Sequence, residues 1–215
     1  EFQLDNGLDV LVREDHRAPV ITVMVWFKAG SIDEAPYETG LAHVLEHMMF
    51  KGSKRLDAGE FSRTVARFGG SDNAFTSYDF TAYFQQYEAS RLPLALELEA
   101  ERLKNLKIDD ESFRRELQVV MEERRQRTDD KPTALAWEKF QAVARPGTGY
   151  AHPIIGWRDQ LAQLQPEQAR SWYQRFYVPG NATLVIAGDV TPEQVRPLVE
   201  KFFADLPQGE PPPRP

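Results

Sequence analysis

His43, Glu46 and His47 fall inside the window Gly40-Leu41-Ala42-His43-Val44-Leu45-Glu46-His47-Met48-Met49-Phe50. The array is H-x-x-E-H, the reverse order of the H-E-x-x-H zinc array. On a helix, positions i and i+4 sit one above the other. The two imidazoles can therefore hold one metal ion from one side. Glu46, three residues after His43, shares that face and can reach a water on the metal. Two ligands beside a free carboxylate suit metal-assisted hydrolysis. Leu41, Val44, Leu45, Met48, Met49 and Phe50 make the segment almost wholly apolar, so the helix is mostly buried. The chain has 4 histidines, and two of them stand in this helix. Burying them with a glutamate is costly unless something pairs with them, and a metal does so.

A hydrolytic zinc site takes three protein ligands and keeps one position for water. The chain has no cysteine, and His16 and His152 lie in segments that read as loop or strand end. A downstream acidic helix, Asp110 to Arg125, is the better source of a third ligand. Phe113, Leu117 and Val120 recur at helical spacing and mark its core face. Glu116 and Glu123 are seven apart and share a stripe bordering Val119 and Val120, so both point inward. Glu122 aligns with Arg115, Gln118 and Gln126 on a polar face and points out. The rest of Glu122-Glu123-Arg124-Arg125-Gln126-Arg127 reads as a solvated surface.

These helices need a frame. Residues 8–13 and 19–28 read as strands, the second rich in β-branched residues. The metal helix spans 39–50. A helix over 57–68 is opened by Asp57 as its N-cap and stopped by Gly69-Gly70. Strands over 71–76 and 79–87 follow, the aromatic Phe80, Tyr83, Phe84 and Tyr87 suiting a packed sheet face. Helices are expected over 91–106 and 110–128, and another runs from the Asp129-Asp130-Lys131-Pro132 interruption to 144. Trp137, Trp157 and Trp172 read as core. A helix over 166–176, a strand over 182–188 and a helix over 192–204 complete the chain. The last opens at Thr191, with Pro192 in its first turn. Strands first, helices clustered in the middle and a returning strand make an α+β fold.

The residues now resemble a known family, the pitrilysin/insulinase zinc metallopeptidases, or inverzincins, which include mitochondrial processing peptidase. The likeness runs through Leu4-Asp5-Asn6-Gly7-Leu8, Phe27-Lys28-Ala29-Gly30-Ser31, the metal helix with Lys51-Gly52, Asn73-Ala74-Phe75-Thr76, Glu116 to Glu123, and Pro179 to Val190. It implies a mostly antiparallel sheet packed by helices. It also implies one zinc ion per chain on His43, His47 and Glu123, with Glu46 as general base and Glu116 supporting a ligand histidine. Asn73, Ala74, Phe75 and Thr76 match the strand where an extended peptide substrate adds to the sheet edge. Members are usually two homologous halves closing like a clamshell. On that pattern residues 1–206 are the metal-bearing half, and the Pro-rich stretch 207–215 is the linker to a second half, fused or a separate subunit. The implied location is periplasmic, with cytoplasmic as the alternative.

Composition bounds the partners. A hydrophobic fraction of 41% and a charged fraction of 27% are ordinary for a globular domain. A net charge of −7 argues against nucleic acid, and no apolar run approaches the length of a membrane span. Zero cysteines exclude disulfides without fixing the compartment. Three functions compete on these grounds. The first is a zinc endopeptidase acting on unfolded peptides. The second is a non-catalytic peptide-binding or scaffold subunit, against which the intact His43, Glu46, His47 and Glu123 speak. The third is a small-molecule lyase sharing the H-x-x-E-H helix, which the paired downstream helices and the Asn73-Ala74 strand disfavour.

Overall fold

The computed structural model describes residues 1–209 and 213. The β-branched run Val20–Phe27 forms β3, the centre of a six-stranded sheet. The other strands are β1 (Phe2–Gln3), β2 (Asp9–Glu14), β4 (Ser71–Thr76), β5 (Thr81–Glu88) and β6 (Ala182–Gly188), in the order β1-β2-β6-β3-β5-β4. Every neighbouring pair is antiparallel except β2 with β6, so the sheet is mostly antiparallel as expected. On β3, Ile21, Val23, Val25 and Phe27 are buried on one face, the period-two pattern of a strand with helices on one side. The aromatic residues of β5 divide by the same rule. Tyr83 and Tyr87 enter the core, whereas Phe84 joins Trp26, Phe75 and Phe80 in a half-exposed cluster on the opposite face.

The helices are α1 (Leu41–Met48), α2 (Glu60–Arg67), α3 (Leu92–Asn105), α4 (Asp110–Arg124), α5 (Pro132–Ala144), α6 (Arg158–Leu161), α7 (Pro166–Phe176) and α8 (Pro192–Phe203). The metal helix α1 packs between α4 and α7, and it also touches β4. Its start is built from elsewhere in the chain. Gly40 takes a left-handed φ of 91°, and a side chain there would meet the Ile155 carbonyl at 2.6 Å. The buried Glu34 carboxylate accepts from the Gly40 and Ala42 N–H groups, each at 2.9 Å, and supplies the cap that Gly40 cannot. At α4 the cap is local: Asp109 accepts from the Ser112 N–H at 2.9 Å.

Four expectations change. Asp57 does not cap α2: the helix starts at Glu60 after the left-handed Gly59, and the Asp57 N–H instead donates to the Glu60 carboxylate. Val119 is 50% exposed, because α4 is buried only along Phe113, Glu116, Leu117, Val120 and Arg124, and position 119 is rotated out of that stripe. Trp137 is 61% exposed, since α5 buries none of its residues in the core. Arg124, expected on a solvated face, is only 3% exposed. The linker expected over 207–215 lies largely outside the described residues. Just before it, the Leu206 side chain is buried and its carbonyl accepts from Asn6.

Arg124 is a strut. Its guanidinium donates to both oxygens of Glu138 on α5, at 2.8 and 2.9 Å, and to the Gly156 carbonyl at 2.7 Å. Gly156 lies against the Thr39–Gly40 backbone, where a side chain would meet the Thr39 carbonyl at 2.3 Å. One side chain thereby fastens the end of α4, the flank of α5 and the loop abutting the start of α1. Arg124→Met is expected to cost about 3–5 kcal/mol, because Glu138 would remain enclosed without its partner. Urea unfolding measures it, and Arg124→Met/Glu138→Leu should recover much of the loss.

Candidate metal centre

Three of the predicted site residues meet at one point. His43 and His47 stack edge-on within α1, ring centroids 4.7 Å apart. Glu123, from the last turn of α4, reaches across to both. Its carboxylate oxygens stand 3.8 Å from His43 Nε2 and 3.3 Å from His47 Nε2. One ligand atom from each of the three residues lies within 4.8 Å of the others. Tetrahedral zinc with bonds of about 2.1 Å separates neighbouring donors by roughly 3.4 Å, so this donor set fits that ion.

The electrostatics agree with the geometry. Burial pushes the His43 imidazole down to about 4, so it is neutral, the form that ligates a metal, and its Nδ1 is buried with no hydrogen-bond partner. Burial also opposes charge on His47. Its contacts with Glu116 and Glu123 outweigh that and hold it up to about 9. Glu116 binds His47 Nδ1 at 2.8 Å, which leaves Nε2 to face Glu123. Burial raises the Glu116 carboxyl, but the His47 and Lys51 contacts overcome it and keep the group below its ordinary value. Glu123 is likewise held low, chiefly by its hydrogen bond to His47.

Glu46 sits apart from this cluster of three. It is 9% exposed, and burial raises its carboxyl above the ordinary value. The Thr76 hydroxyl donates to it and fixes its orientation. Thr76 belongs to β4, which among the described residues pairs only with β5 and is an edge of the sheet. The strand presents Ala74 and Thr76 to the half-buried side, and Asn73 and Phe75 are more exposed. The Asn73 side chain accepts from the Ala74 N–H at 2.9 Å, covering a backbone donor of the edge. His43, Glu46, His47, Glu123 and the last four residues of β4, Asn73 to Thr76, line one cavity of about 580 Å³. A hollow of about 670 Å³ lies elsewhere, near Arg13, Arg17 and Gly188, and holds none of these groups.

Sequence reasoning missed three contributors. Lys51 Nζ lies 2.6 Å from Glu116, making a chain from Lys51 through Glu116 to His47. Lys51 stands four residues after His47, so helical spacing could have found it. Arg127, in a π-helical turn over Arg125–Asp129, lies 2.5 Å from Glu123 and lines the cavity. Nothing in the linear sequence marked Glu34. His152, passed over as a ligand because its segment reads as loop or strand end, lies 3.7 Å from Glu34 and takes no part in the cluster.

Comparison with known proteins follows the same lines. The model of "Insulinase (Peptidase family M16)" matches residues 9–157, and that of "Peptidase M16 inactive domain" matches residues 163–215. The chain is 39% identical over 204 residues to "Zinc protease PqqE" of Helicobacter pylori, covering 94% of this chain and 46% of that protein. A crystal structure of a protease from Helicobacter pylori superposes with a TM-score of 0.95 at 37% identity, covering 100% of this chain and 52% of the other. The first half of the periplasmic protease PqqL from Escherichia coli superposes with a TM-score of 0.87 at 29% identity, covering 100% of this chain and 48% of that one. The chain spans about half the length of the curated relatives it matches.

The Lys51–Glu116–His47 chain has a measurable consequence. Lys51→Met and Glu116→Gln are each expected to weaken zinc binding by roughly 10- to 100-fold, as is usual for groups that orient a ligand histidine. Glu123→Ala should weaken it more. Competition against a chromophoric chelator in the complete protein reads all three. Unchanged affinity in Glu123→Ala would remove Glu123 from the ligand set.

Proposed function

Because the chain belongs to the insulinase (M16) peptidase family, we propose that it is the metal-bearing half of a zinc endopeptidase that cleaves extended peptides. The observation that carries this is the position of Glu46: a buried carboxylate beside the His43–His47–Glu123 donor set, tied by Thr76 to an open sheet edge.

His43, His47 and Glu123 would hold the zinc, and Glu116, backed by Lys51, keeps His47 oriented. When bound, zinc in such a site activates water and polarises a carbonyl. The peptide lies as an added strand along Asn73, Ala74, Phe75 and Thr76, its backbone taking over the edge donor that Asn73 covers. Glu46 accepts the proton of the attacking water and delivers it to the leaving amine. Burial suits it to both steps, because a raised carboxyl returns a proton more readily than an ordinary one.

Residues 1–206 constitute this half in the proposal, and a homologous second half, fused or separate, closes over the cleft. The coverage of about half of each relative supports that arrangement. A periplasmic location is the companion proposal, supported by the likeness to the periplasmic protease PqqL. Among the described residues no helix is long and apolar enough to cross a membrane.

In the complete protein with matched zinc content, Glu46→Gln is expected to lower peptide cleavage at least about 100-fold while leaving zinc bound. Mass spectrometry of a peptide mixture gives the readout. Equal, negligible cleavage by both proteins with zinc in place would discard the peptidase and favour a non-catalytic peptide-binding subunit.

A further inference from the structure

Arg102 and Glu99 form an ion pair inside the core. They stand three residues apart on α3 and are 2% and 1% exposed. The guanidinium donates through Nε and Nη2 to the two oxygens of Glu99, each at 2.8 Å. Glu99 also accepts from the Gln85 amide at 2.8 Å, and the Tyr87 hydroxyl donates to the oxygen of that amide at 2.9 Å. Arg102 Nη1 is buried and, among the described residues, has no hydrogen-bond partner. Aromatic faces surround it instead. The guanidinium carbon lies 4.3 Å from the centre of the Phe61 ring, 4.6 Å from that of Tyr83 and 5.2 Å from that of Phe50.

Those rings belong to three different elements that adjoin the metal cleft. Phe50 follows α1 and precedes Lys51, the start of the chain through Glu116 to His47. Phe61 lies on α2 beside Ser62, whose hydroxyl donates to Asp72 of β4 at 2.6 Å. Tyr83 of β5 pairs with Ala74 of β4. Phe50, Lys51, Ser62 and Asp72 meet Glu46 and His47 around one hollow. One buried cation therefore touches the exit of the metal helix, the helix braced on the edge strand and the strand beneath that edge. Stability does not explain such a pair, because apolar side chains of similar volume commonly replace a buried pair without loss. What they cannot replace is direction. A guanidinium clamped by two hydrogen bonds has one orientation, and each ring is fixed by facing it.

We propose that Arg102 is a positioning residue for peptide cleavage: by fixing Phe50 and Phe61 it sets the spacing of α1 from β4, and so the approach of Glu46 to a peptide lying on that edge. The inference rests on the peptidase reading and adds to it a residue that lines neither the metal cleft nor the edge strand.

The test uses the complete protein with three variants. Arg102→Met/Glu99→Leu removes the pair and keeps the volume, Arg102→Lys keeps a cation against the rings, and Ser62→Ala cuts the tie between α2 and β4. The double variant should unfold at a urea midpoint close to that of the unaltered protein. Its kcat should nevertheless fall about 10-fold or more, with KM moving less than about threefold, because small misplacements of reacting groups act on the chemical step. Its zinc affinity, read by chelator competition, should fall about 10-fold as Lys51 loses its hold on Glu116. Arg102→Lys should recover at least about threefold of the lost kcat, and Ser62→Ala should lower kcat about threefold at equal zinc content. A stable double variant with kcat and zinc affinity within about twofold of the unaltered protein overturns the proposal. Should the double variant fail to fold, unchanged kcat in both Arg102→Lys and Ser62→Ala overturns it instead. No cleavage of any peptide by the unaltered protein with zinc bound sinks the peptidase reading; weakened zinc binding in the double variant would then still establish that Arg102 positions the metal helix, and unchanged binding would overturn that too.

Discussion

Two imidazoles and three carboxylates stand within a few ångströms of one another between α1, α4 and β4, and the fold must make that crowding tolerable. Groups of like charge at such distances repel strongly when water is excluded. The structure solves this by alternation. Glu116 lies between Lys51 and His47, and Glu123 lies between His47 and Arg127. His43, for which burial outweighs the Glu123 carboxylate 3.8 Å away, is driven neutral. Glu46 is set outside the chain of pairs, with a hydroxyl rather than a cation for a partner, and its carboxyl is raised while those of Glu116 and Glu123 are lowered. The two roles proposed for carboxylates here, ligand and base, follow from these two environments.

Holding α1 in register is the second requirement, since the pairs fail if the helix turns. Its apolar face packs into the core, and its start is anchored by Glu34 through two backbone N–H groups. The same neighbourhood is closed from the other side by Gly156, whose carbonyl is bound by Arg124. Arg124 and Glu123 are adjacent in α4, one facing the buried strut and the other the metal cleft. A single helical turn thus couples the position of a proposed ligand to the placement of the opposite helix. Buried ion pairs contribute little net stability, but they fix relative geometry, which is what this site requires.

The edge strand gives the site its orientation toward a substrate. β4 carries a threonine that holds the proposed base and an outward backbone beside it. Its exposed donor is covered by the chain's own Asn73, a common way to keep an edge from pairing indiscriminately. Cleft and edge therefore form one surface.

How much of this was legible beforehand follows from the range of the interactions. The H-x-x-E-H array, the inward phase of Glu116 and Glu123 and the outward phase of Glu122 are matters of helical period, and the sequence alone determined them. Most strand and helix spans, including Thr191 ahead of Pro192 in α8, were equally local. The caps divide by range: Asp109 lies next to the helix it caps, whereas Glu34 caps α1 from six and eight residues away with a tight turn between. Arg124 resembles its charged neighbours in sequence and differs only because α5 and Gly156 fold over it. Trp137 looks like core by composition and is left outside because its helix packs at the margin of the domain. Periodicity tells which side of a helix a residue occupies, but not what lies on that side. That was decided by the sheet order, which puts β4 at an edge, and by the packing of α4 against α1, which turns two histidines and a distant glutamate into one donor set.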